Sequence, residues 1–101
     1  MGGQFAMVPE KFRADVDRAI AVLRAHGATE VYLFGSIVER SDDAEPYDID
    51  IAVSGLSPRP FLHAYGILLG ELECPFDLVD LDSDDRLSRR LRDRGKLERV
   101  A

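Results

Sequence analysis

The chain has 101 residues, the size of one domain with no room for a second core. Hydrophobic residues make up 46% and charged residues 32%, ordinary globular usage that excludes the disordered and collagen-like classes. Thirteen Lys and Arg against nineteen Asp and Glu leave a net charge of −6, which argues against a bare nucleic-acid clamp because phosphate needs positive partners. Along the chain, Pro9 and Glu10 open a helix whose apolar face is Phe12, Val16, Ala19, Ile20 and Leu23. His26-Gly27 closes it, with glycine supplying a left-handed cap. Val31–Phe34 reads as a short strand ending at Gly35-Ser36, Ile37–Glu39 as a helical turn, and Arg40–Tyr47 as a polar loop. Asp48–Val53 alternates, with Ile49, Ile51 and Val53 on one face and Asp48, Asp50 and Ala52 on the other. Ser54–Pro60 is a turn region, and Phe61–Glu73 has helical spacing. Gly66 and Gly70 each cost that helix about 1 kcal/mol against Ala, so packing must hold it. Phe76–Leu81 is a third strand. Ser83 or Asp84 then caps a last helix that runs to Arg94 and stops at Gly95.

This order predicts an α/β fold over residues 1–101, a small three-stranded mixed sheet flanked by helices. Cys74 is the only cysteine, so no internal disulfide is possible, as suits a reducing compartment. The first residues lack the basic and apolar regions of a signal peptide, and no apolar stretch approaches the roughly 20 residues of a membrane span. A cytoplasmic protein with no membrane partner is expected.

The chemistry concentrates in the carboxylates. Asp48 and Asp50, two apart on a strand, project from one face. Held that close, each raises the other's cost of ionisation unless a cation lies between them. Such a pair can bridge two Mg²⁺ ions about 3.5–4 Å apart, an arrangement that serves in-line phosphoryl or nucleotidyl transfer. An Asp-x-Asp taken alone is more often a solvated strand edge. Gly35-Ser36, at the end of a strand, offers close backbone approach, a hydroxyl and free N–H groups to a phosphate, although a lone Gly-Ser is commonly only a turn. The dinucleotide-binding and P-loop patterns are absent from the chain.

Taken together, Leu33-Phe34-Gly35-Ser36, eleven further residues, Asp48-Ile49-Asp50-Ile51, and then Phe76-Asp77-Leu78-Val79-Asp80 resemble the nucleotidyltransferase superfamily that includes DNA polymerase β. The compact length is similar to the minimal nucleotidyltransferases, antitoxin partners of HEPN-domain ribonuclease toxins. The resemblance runs from about Val31 to the end and implies the nucleotidyltransferase fold. It puts the phosphate-binding pair on Gly35 and Ser36, the metal-binding pair on Asp48 and Asp50, and the third carboxylate, which holds metal and helps activate the acceptor hydroxyl, on Asp77. Asp80 lies on the opposite strand face by parity, and Asp82 with it. Many members follow Gly-Ser with basic, small, basic and Gly residues; here Ile37, Val38, Glu39 and Arg40 stand there, so Arg40 is the candidate to supply the phosphate-binding charge.

The implied activity is protein adenylyl transfer: ATP as donor, two Mg²⁺ ions, and a tyrosine of a HEPN toxin as acceptor, with no direct nucleic-acid partner. The alternatives are an antitoxin that acts by complex formation with weak or lost catalysis, and a nucleotidyltransferase for RNA or a small molecule. Arg86, Arg89, Arg90, Arg92, Arg94, Lys96 and Arg99 are seven of the thirteen basic residues. They read either as a solvated helix paired with Asp84, Asp85 and Asp93 or as a docking face for an acidic partner or RNA. His26 reads as a helix-end histidine, His63 as a surface or packing residue, Cys74 as a buried or half-buried thiol, and Tyr32, Tyr47 and Tyr65 as packing or loop residues.

Overall fold

The computed structural model describes residues 8–38 and 48–101. Its elements in chain order are α1 (Glu10–Ala25), β1 (Glu30–Phe34), a 3-10 turn (Gly35–Ile37), β2 (Ile49–Ser54), α2 (Pro58–Glu71), β3 (Phe76–Asp80), α3 (Arg86–Arg94) and β4 (Glu98–Arg99). The expected loop over Arg40–Tyr47 lies outside the described residues.

α1 forms as its 3.6-residue pattern requires. Phe12, Val16, Ala19 and Leu23 are buried on one face, Pro9 stands at the N-cap, and Gly27 with φ of 113° ends the helix after His26. α2 starts three residues earlier than its apolar spacing suggested, at Pro58. Pro58 and Pro60 fall in the first turn, where a missing N–H costs nothing, so a segment that reads as a breaker opens the helix instead. Asp85, rather than Ser83 or Asp84, caps α3: its carboxylate accepts the Ser88 N–H at 2.8 Å, and Ser83 Oγ donates to it at 2.6 Å.

The sheet has the order β3-β2-β1-β4, so the described residues contribute four strands where three were expected. The fourth escapes a pattern search because Glu98–Arg99 is two exposed, charged residues with no apolar alternation. It forms because β1 has a free edge: Tyr32 pairs with Arg99, Leu33 pairs with Glu98, and Val100 N–H reaches Val31 O at 2.8 Å. β1 is antiparallel to both β2 and β4, while β2 and β3 are parallel across the α2 connection, which makes the sheet mixed.

Two cores clamp this sheet. α1 and α2 cover one face, where Val31, Leu33, Ile49, Ile51 and Val53 meet Phe12, Val16, Leu23, Ala64 and Leu68. The other face carries a smaller cluster, Ala52 with Leu81 of the following turn and Leu91 of α3. Ala52 was read as lying on the polar side of its strand; α3 covers it, which is why it is small and fully buried. No helix among the described residues is long and apolar enough to cross a membrane.

One buried charge ties the layers to the third strand. Asp15 sits within the apolar face of α1 at 7% exposure, and its carboxylate accepts the N–H groups of Glu73 at 3.1 Å and Cys74 at 2.8 Å. Those amides belong to the turn that leads into β3. We predict that Asp15→Ala lowers the unfolding free energy by about 1–3 kcal/mol, because it leaves two N–H groups without their acceptor. Urea titration of both proteins measures this.

Candidate active site

The register between β2 and β3 assembles the site. Asp50 and Asp77 are partners across the parallel pair, and Asp48 lies just before β2 on the face of Asp50. One carboxylate oxygen from each of Asp48, Asp50 and Asp77 lies within 4.8 Å of the other two. Asp48 and Asp50 are half-buried and Asp77 is exposed. The three residues singled out in the sequence therefore meet at one point.

Gly35 backs this cluster. Phe34, the last residue of β1, pairs with Asp50, so the next residue turns beside the carboxylate. Gly35 adopts φ of 75°, and a Cβ there would stand 2.0 Å from Asp50 Oδ2. Both the backbone conformation and the contact demand glycine. Ser36 follows within the 3-10 turn, which is three residues long and closes through Val38 N–H to Gly35 O at 3.0 Å. That turn starts two residues before the helical turn expected at Ile37–Glu39. Ile37 is buried in the core, so the first position after Gly-Ser anchors the turn by packing. Arg40 lies outside the described residues.

The cluster is electrostatically unbalanced. The Asp50 carboxyl is pushed up to about 6, first by partial withdrawal from water, then by the charges of Asp48 and Asp77, and by a hydrogen bond with Asp77. Three carboxylates are the hard oxygen donors that Mg²⁺ takes, and a divalent cation would offset the repulsion that holds the Asp50 proton. The donor set fits the ion.

Other acidic residues near β3 do structural work. Asp80 Oδ1 accepts the Asp82 N–H at 2.9 Å, while Asp82 accepts from Ser54 Oγ at 2.9 Å and Gly55 N–H at 2.7 Å. These bonds fasten the end of β3 to the turn after β2, away from the triad. Within the basic segment, Arg92 donates to Leu81 O and Ser83 O, and Arg89 pairs with Asp84 at 3.0 Å. Arg99 pairs with Glu30 at 3.6 Å. Arg86 and Arg90 are exposed on α3. His26 Nδ1 meets Val22 O at 2.8 Å, and its Nε2 meets His63 Nδ1 at 2.9 Å, a contact between α1 and α2 that spacing alone did not reveal. The half-buried Cys74 thiol is raised by its withdrawal from water and by nearby Asp15. Asp15 itself went unread, although an acidic residue between Phe12 and Val16 on the apolar face was a usable signal.

A carboxylate triad on adjacent strands of a mixed α/β sheet, backed by a glycine turn, defines a domain of the nucleotidyltransferase type. No protein-family model matches the sequence, and no curated protein does. Among solved structures, the chain is similar to the toxin–antitoxin complex MntA–HepT, with 27% identity over 84% of this chain and 69% of that one and a TM-score of 0.55. A tyrosine-to-alanine variant of the complex matches at 30% identity, 81% and 69% coverage and a TM-score of 0.56. A toxin–antitoxin structure with AMP-PNP matches at 30% identity, 80% and 69% coverage and a TM-score of 0.56. MntA is a nucleotidyltransferase antitoxin, and this chain belongs to the same toxin–antitoxin nucleotidyltransferase family.

Two expectations follow from the geometry. Below roughly pH 4 the Asp50 carboxyl is protonated in both folded and unfolded chains. From there to about 6 the unfolded chain ionises first, so the metal-free fold loses stability as pH rises, and above about 6 that loss is complete. Asp50→Asn should remove this slope and leave the EDTA-treated protein more stable than the parent at pH 8, as thermal melts across pH will measure. Gly35→Ala should cost about 1–2 kcal/mol from its left-handed backbone alone. Displacement of Asp50 should also abolish stabilisation of the fold by Mg²⁺ in the same melts.

Proposed function

We propose that this chain is an ATP-dependent nucleotidyltransferase of the DNA polymerase β-like superfamily, the antitoxin that transfers AMP to a tyrosine of a HEPN-domain ribonuclease toxin. The observation that carries the reading is the meeting of Asp48, Asp50 and Asp77 within 4.8 Å. Further support comes from the similarity to a toxin–antitoxin structure that contains AMP-PNP. One of the similar MntA–HepT structures also carries glutamates in place of two aspartates two residues apart, the spacing of Asp48 and Asp50 here.

In this reading Gly35 and Ser36 receive a phosphate of ATP along their main chain, with Arg40 adding positive charge. Asp48 and Asp50 face the triphosphate, and Asp77, at the exposed rim, faces the acceptor. The acceptor oxygen forms a bond to the α-phosphorus as the bond from that phosphorus to the bridging oxygen breaks. Pyrophosphate departs with the electron pair, and the hydroxyl proton passes to the Asp77 carboxylate. Two Mg²⁺ ions held by Asp48, Asp50 and Asp77 would neutralise the triphosphate and the departing pyrophosphate. Asp77 is exposed at the rim of the triad, so a docked protein partner would align the acceptor there. Exposed Arg86 and Arg90 on α3 suit acidic groups of such a partner.

One observation favours a second reading, an antitoxin that works by complex formation with weak transfer. Ile37, where many relatives of the superfamily carry a basic residue, is buried in the core and offers no charge to phosphate. Incubation with labelled ATP, Mg²⁺ and a HEPN-domain toxin that forms a complex with this chain separates the two. Label on the toxin that disappears with Asp50→Asn is expected; complex formation without label would favour the second reading. ATP should bind only with the divalent ion, since an acidic cluster in a protein of net charge −6 repels bare triphosphate. Tight binding in excess EDTA, read by calorimetry, would overturn the metal-dependent site.

A further inference from the structure

The outer edge of β3 is built to receive another strand. Among the described residues β3 pairs only with β2, and it lies at the end of the sheet. Two hydrogen bonds fix which of its peptide groups face inward: Ile49 N–H to Pro75 O at 3.0 Å and Leu81 N–H to Val53 O at 2.8 Å. Alternate residues in a strand turn their main-chain groups to opposite sides, so those of Phe76 and Leu78 face away from β2. The next outward carbonyl, Asp80 O, is taken by Ser88 Oγ at 2.7 Å and Ser83 N–H at 3.1 Å. The pairing edge is therefore short and ends at α3.

An open groove of about 530 Å³ runs along this edge, lined by Phe61 and Leu62 of α2, Leu78 and Asp80 of β3, and Asp85 and Leu87 at the start of α3. Soluble proteins blunt such edges with charge, proline or a covering element. Here Asp80 and Asp85 lie only at the far end of the groove, and the side chains flanking the rest are large and apolar, Leu62 at 66% and Leu87 at 51% exposure. Along the strand the groove lies next to the triad: Val79, which also lines it, is on the face of Asp77 two residues away.

We propose that an extended segment of the partner toxin adds to β3 as a fifth strand and thereby delivers the acceptor hydroxyl. A residue laid beside Asp77 would stand at the inter-strand spacing of about 4.8 Å, with its side chain on the face that carries the triad. Its two neighbours in sequence would point to the other face, toward Phe61 and Leu62. The segment that fits is a hydroxyl residue between apolar ones, followed by a basic residue for Asp80 and Asp85 at the far end of the groove. The occupant is the toxin because the similar solved structures are toxin–antitoxin complexes and the groove abuts the cluster. This inference rests on the transfer reading above and specifies how the acceptor arrives; the bonds made and broken are unchanged.

Hydrogen exchange on the complex of this chain with its toxin tests the docking without requiring transfer. The amides of Phe76 and Leu78 should exchange at least tenfold more slowly in the complex than in the free chain. The double substitution Leu62→Asp with Leu87→Asp changes exposed side chains outside the triad. It should leave ATP–Mg²⁺ binding intact, remove that protection and lower label transfer at least tenfold. A complex that forms without protecting Phe76 and Leu78, or a double variant that transfers like the parent, overturns the proposal. The same protection in the free chain at rising concentration would assign the edge to a second copy and overturn it equally. Protection by the toxin with no transfer of label would support the docking and refute the transfer reading instead. If the double variant fails to fold, the exchange of the parent complex decides alone.

Discussion

The site depends on one register, the parallel alignment that sets Asp50 beside Asp77. A slip of one residue in β3 would carry Asp77 to the face covered by α1 and α2 and bring Leu78 into its place. The fold resists that slip at both ends of the strand. Asp15 of α1 grips the amides of Glu73 and Cys74 before β3 begins, and Asp82 grips Ser54 and Gly55 after it ends. Between them Ile49, Ile51 and Val53 are fully buried against the helices, which fixes the facing of β2 as well.

This rigidity has an electrostatic purpose. Three carboxylates brought within 4.8 Å repel one another, and a loose strand would relax by turning one away. Held in place, the cluster stores the repulsion as a raised Asp50 carboxyl, and a bound divalent cation gains by relieving it. Gly35 completes the enclosure from the β1 side, where any side chain would occupy the space of the Asp50 carboxylate. The core, the register and the turn thus act on the same few oxygen atoms.

Much of this was legible because local pattern and tertiary need agree there. The alternation of Asp48–Val53 specified both the buried face and the carboxylate face, and the glycine after β1 marked the close approach. Legibility ended where a segment takes its structure from a neighbour. β4 exists because β1 offers an edge, not because Glu98–Arg99 favours a strand. The early start of α2 turns on prolines whose effect reverses with position, helix-breaking inside and helix-opening at the first turn. Arg92 looked like one charge in a basic run, yet its guanidinium closes the carbonyls of Leu81 and Ser83 beneath α3. Sequence showed its charge but not its partners.

The exposure of the triad is graded, and the gradient gives the site a direction. Asp48 and Asp50 are half-buried against the Gly35 turn, whereas Asp77 is exposed on the outermost strand of its side. A nucleotide held by the first two would have the Gly35 turn on its inner side and the exposed Asp77 toward β3. Under the proposed activity an acceptor can reach the phosphorus from that side, where Val79 shares the face of Asp77 and the groove between α2 and the start of α3 begins. A domain that builds the nucleotide side from its own core and leaves the acceptor side at a sheet edge makes selectivity a matter of docking. Under the proposed docking, the partner's affinity for that edge would decide which hydroxyl is modified.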